Sequence, residues 1–163
     1  MSTTTPAQLY CTLVGAVLVI GGIIGFFYDA SFDTGLEVAS EDVFGVLAVN
    51  GWLNLVHIAT GLLGLLAAGY AARTYALAFG LLYVILAIWG FATVEDGVGT
   101  LVDLVPINTE DNLFHLIVGL TGLAAGAASQ KPPAPVKQRE KPARPAQTWE
   151  KPAAASTETN GSD

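Results

Sequence analysis

The chain has 163 residues, room for one domain, and 52% of them are hydrophobic against 13% charged, with a mean hydropathy of +0.53. A soluble domain carries about 25% charged residues, so the composition excludes an ordinary soluble fold and, with its apolar residues in long blocks, reads as a polytopic membrane protein. The net charge of -7 argues against a nucleic-acid partner, and the signs are segregated: every basic residue is Arg73 or lies at Lys131 and beyond.

The N-terminus lacks Lys and Arg, and no small-residue cleavage site follows the first apolar block, so that block is read as a retained membrane helix over about residues 8–28. Its length suits a hydrocarbon core of about 30 Å at about 1.5 Å per residue. Tyr10, Phe26, Phe27 and Tyr28 stand at its ends, where aromatic anchors belong. Cys11, the single cysteine, reads as a small packing residue.

Loop 29–49 holds Asp29, Asp33, Glu37, Glu41 and Asp42 and no basic residue. Asp29, Asp33 and Glu37 lack the EF-hand spacing, so a solvated loop is expected rather than a calcium site. Ser40 before Glu41 and Asp42 resembles a helix N-terminus. A second helix is expected over 51–71 and a third over 75–93, joined by a short link carrying Arg73 and flanked by Tyr70 and Tyr75 as interfacial anchors. A second acidic loop, 94–109, carries Glu95, Asp96 and Asp103, with Pro106 ending any regular structure. Thr109 then caps a fourth helix over 110–128. From residue 129 a Pro/Lys/Ala-rich stretch with Lys-Pro at Lys131, Lys141 and Lys151, and an isolated Trp149, reads as a disordered tail.

One pattern organises the rest. Asn50-x3-Asn54-x2-His57-x3-Gly61-x2-Gly64 recurs as Asn108-x3-Asn112-x2-His115-x3-Gly119-x2-Gly122, and both histidines of the protein lie in it. The helices before them match too, Gly15 with Gly80 and Gly25-Phe26 with Gly90-Phe91. The expected fold is therefore all-α: a polytopic four-helix bundle of two parallel helical-hairpin repeats about an axis along the membrane normal. Positive charge marks the cytoplasmic side, which puts this multi-pass protein in the cell membrane with both termini cytoplasmic and loops 29–49 and 94–109 extracellular.

Steps of four and three place Asn50, Asn54, His57, Gly61 and Gly64 on one helix face, and Asn108, Asn112, His115, Gly119 and Gly122 on another. The glycines let helices approach closely, and the amides and imidazoles bond across the interface at about 0.6 kcal/mol each. The two stripes are expected to lie against each other, with His57 about 8 Å and His115 about 5 Å beneath the outer boundary at about 1.5 Å per residue.

Three readings compete for this face: polar bonds that fix helix register; a haem or transition metal held by His57 and His115; and a polar path for an ion or small solute. No Asp, Glu, Lys or Arg is expected within a helix core. No G-x-S-x-G, Walker loop or H-E-x-x-H is present, so no enzyme and no cofactor is expected. The remaining expectation is a small structural or interaction protein whose partners are the lipid bilayer and a further protein or a second copy of itself.

The segments Val49-Asn50, Asn54-Leu-Val-His57, Ala72-Arg73-Thr74-Tyr75 and Pro106-Ile-Asn108-Thr-Glu-Asp111-Asn112 with His115 resemble a bacterial membrane family labelled domain of unknown function 4383, over about residues 7–128. The resemblance implies a four-helix integral membrane protein and supplies no activity. It also implies H-N-x-V-H at the first motif, where this chain has Leu53 in place of the earlier histidine.

Overall fold

The computed structural model describes residues 3–35, 38 and 41–129. The Lys-Pro tail, Trp149, Glu37 and Ser40 lie outside them. Four helices, each long and apolar enough to cross a membrane, make the bundle: α1 Pro6–Gly25, α2 Gly51–Tyr70, α3 Ala72–Thr93 and α4 Thr109–Ala128. α1 begins two residues earlier than expected because Thr5 and Gln8 cap each other reciprocally and Pro6 takes a first-turn position where its missing N–H is harmless. Only Ala71 separates α2 from α3, so Arg73 sits in the first turn of α3 rather than in a link.

Within each half the pair packs through glycine. A Cβ on Gly61 would come within 2.6 Å of the Gly15 carbonyl oxygen, and one on Gly119 within 2.9 Å of that of Gly80. α1 and α3 meet at the centre through Ala7, Cys11, Ala76 and Phe79, while α2 and α4 stand apart. Tyr10 and Tyr75, expected as surface anchors, instead bind the opposite half: the Tyr10 hydroxyl donates to the Val118 carbonyl (3.0 Å) and that of Tyr75 to the Thr60 carbonyl (2.7 Å). Their rings lie over Gly122 and Gly64, where only a glycine leaves room. Tyr70 is exposed, as an anchor should be. Ser129, expected in the tail, is buried in the bundle, where its hydroxyl accepts from the Ala7 N–H and its carbonyl accepts from Arg73 Nε.

The two acidic loops are not irregular. Glu41–Val43 (β1) pairs antiparallel with Leu47–Val49 (β2), and Val98–Leu101 (β3) with Val105–Asn108 (β4). This replaces the helix start expected after Ser40 and puts Pro106 inside a strand. Both turns carry two consecutive residues at positive φ, Phe44-Gly45 and Val102-Asp103, closed by Val46 N–H to the Val43 carbonyl and Leu104 N–H to the Leu101 carbonyl. That handedness matches the twist of the strands. β2 packs beside β4, so both hairpins cover the same end of the bundle.

Candidate functional site

Asn50 and Asn108 turn out to be helix caps, Asn108 displacing the expected Thr109. Each Oδ1 accepts from its own first turn, at Leu53 N (2.9 Å) and Asp111 N (2.8 Å). Each Nδ2 donates to the other half's hairpin turn, at Leu104 O and Val46 O, both 2.7 Å. The two amides thus clasp the halves together reciprocally.

One turn deeper, Asn54 and Asn112 are fully buried, and each lies over a glycine of its neighbouring helix, Gly25 and Gly90. Asn54 Nδ2 donates to the Asp29 carbonyl (2.8 Å), while the Asn112 amide has no partner among the described residues. These amides sit in closed helix contacts. Gly61 and Gly119 pack on the first helix of their own half, and Gly64 and Gly122 receive the crossing tyrosines. The stripes of α2 and α4 therefore face α1 and α3, not each other, because the close glycine approach occurs within each half.

The histidines do come to one place. His57 and His115 both line a cavity of about 330 Å3 between α1 and α4, together with Tyr83, Asp111 and the β1–β2 hairpin residues Phe44 and Leu47. His115 is 8% exposed, meets the Tyr83 ring edge-on at 5.0 Å, and its Nδ1 has no hydrogen-bond partner among the described residues. His57 is half-buried. Asp111 accepts from the backbone N–H of Asn108 (3.0 Å) and of Ala48 (3.1 Å), both at Oδ2. No group of three His, Cys, Asp or Glu side chains converges to hold a metal ion among the described residues.

The family model described as Domain of unknown function (DUF4383) matches residues 8–128, from the first turn of α1 to the last residue of α4. The chain belongs to this family. No curated protein and no solved structure matches it. DUF4383 as a description assigns no activity, so the chemistry rests on the residues themselves.

Two residues of this DUF4383 site escaped the sequence reading. Asp111 stands in the first turn of α4, where an acid favours a helix start, and closes a capping box with Asn108; what that signature does not show is that it is also buried against the hairpin of the other half. Its place four residues before His115 on one helix face was the available signal. Tyr83 stood in an apolar run with nothing to distinguish it from packing. It lines the cavity because α3 crosses the centre of the bundle.

Proposed function

We propose that this DUF4383 protein is a non-enzymatic binding protein of the cell membrane, with the hairpins outside and both termini in the cytoplasm, and that the cavity between α1 and α4 is its binding element. The observation that carries the reading is a buried imidazole nitrogen without a partner beside an apolar space. An unsatisfied buried polar group costs about 1–3 kcal/mol, and a ligand that bonds to it recovers that. Small-molecule sites have this build: mostly apolar walls with a few convergent polar groups.

Native mass spectrometry of the purified protein tests the reading. The wild type should retain a bilayer-soluble small molecule that Gly21→Leu, which fills the cavity wall, does not. A wild type free of any such molecule, purified in mild detergent, would count against it. A second reading, haem or a transition metal held by His57 and His115, draws on the same shared cavity. It requires a Soret band or stoichiometric metal that His57→Ala abolishes.

A further inference from the structure

Resting on that binding reading, we infer that the cavity takes a bilayer-borne lipid whose head is a hydroxylated aromatic ring, a phenol or hydroquinone, entering sideways between α1 and α4. The entrance is visible in the exposure of the lining. Leu13, Val17 and Phe114 line the cavity, yet are 57%, 67% and 52% exposed on the lipid-facing surface. A tail left among the acyl chains would lie along these residues while the head reaches inward.

The lining fixes the head. At about 330 Å3 the space lies near the lower bound of small-molecule sites, about 300–1,000 Å3, which suits a single ring. No Lys or Arg lines it and Asp111 does, so an anionic phosphate or carboxylate head meets repulsion and finds no counter-charge. Asp111 leaves an acceptor open: both of its backbone donors go to Oδ2, so Oδ1 can take a third. His115 Nδ1 has no partner among the described residues and, by its tautomer, donates or accepts. A hydroxyl group serves both, donating to the carboxylate and either donating to or accepting from the imidazole. Phe44, Phe114 and Tyr83 offer aromatic walls to a flat ring, for which offset and edge contacts are favourable.

The two halves differ in a way that favours this one cavity. The α1 wall is built from Leu13, Val14, Val17, Leu18, Gly21 and Ile24, and the residues 65 further on in α3 are Ala78, Phe79, Leu82, Tyr83, Leu86 and Trp89. Asp111 corresponds, 58 earlier, to Leu53. The half that supplies the open wall has the smaller side chain at all of these positions except Leu13, and the polar acceptor stands only opposite that wall. A ligand site explains this one-sided thinning; packing alone would favour filling both.

Equilibrium binding to the full-length protein in phosphatidylcholine nanodiscs decides it. The probes are decyl-benzohydroquinone, its dimethyl ether and decylbenzene, which share a tail and differ in donors. The hydroquinone should bind saturably, the ether and the hydrocarbon at least tenfold more weakly, and Gly21→Leu should weaken the hydroquinone at least tenfold. A Cβ on Gly21 meets nothing within 4 Å, so the variant's thermal midpoint should not fall. If all three probes bind alike and Gly21→Leu abolishes them all, the binding reading stands and the hydroxylated head is wrong. If the hydroquinone does not saturate, or binds Gly21→Leu as well as wild type, the inference is overturned; the broader reading then depends on the mass-spectrometric result.

Discussion

At Gly25 and Gly90 the helix backbone leaves room for a carboxamide oxygen and nothing more. A Cβ at either position would land on Oδ1 of Asn54 or Asn112. The sequence pairs Gly25-Phe26 with Gly90-Phe91 and marks both asparagines as buried polar groups, which is as far as a periodic pattern reaches; it does not say which glycine meets which amide. Gly25→Ala and Gly90→Ala should each lower stability by about 1–3 kcal/mol through overpacking, outweighing a gain in helix propensity of about 1 kcal/mol. Gly21→Ala, with open space around its Cβ, should keep that gain. Chemical unfolding in detergent micelles measures all three; equal midpoints would show that the amides move aside freely.

Between elements, one matched exception shows how the hairpins engage the helices. Asp111 accepts the N–H of Ala48. At the corresponding positions, offset by 58, stand Leu53 and Pro106. Where the helix offers no acceptor, the strand offers no donor. Asp111→Leu should therefore cost about 1–3 kcal/mol by stranding a buried N–H, and adding Ala48→Pro should restore part of the loss. A double-mutant cycle on thermal unfolding checks this: strictly additive effects would mean the two positions are uncoupled. None of the hairpin was legible beforehand. Its strands are three or four residues long, too short for a period-two signal, and Phe44, Val102 and Asp103 occupy left-handed backbone that turn-forming sequences usually give to Asn or Gly. Pairing with the neighbouring half holds these residues there, through the Asn50 and Asn108 amides.

Across the whole molecule, the halves are joined by reciprocal contacts: Asn50 with Leu104 and Asn108 with Val46 at the hairpin end, Tyr10 with Val118 and Tyr75 with Thr60 deeper in. Arg73 and Ser129 close the opposite end. The proposed orientation has a direct consequence. In intact cells a membrane-impermeant maleimide should label Glu95→Cys, exposed beside the second hairpin, and should reach Thr74→Cys, exposed at the Arg73 end, only after lysis. Native Cys11 is buried and should stay silent. Labelling in the reverse order would invert the topology.

The sequence by itself determined the number of apolar helices, their extents to within a few residues and the burial of Asn54, Asn112 and His115. Apolar block length and the spacing of polar residues on a helix are local properties, written in the order of the chain. Only the tertiary structure decided which faces meet. It set the glycine stripes of α2 and α4 against α1 and α3, made Asn50 and Asn108 caps that reach across to the other half, and brought His57, His115, Asp111 and Tyr83 to one cavity. Those outcomes depend on how closely two backbones approach and on what fills the space between them, and no single segment carries that information.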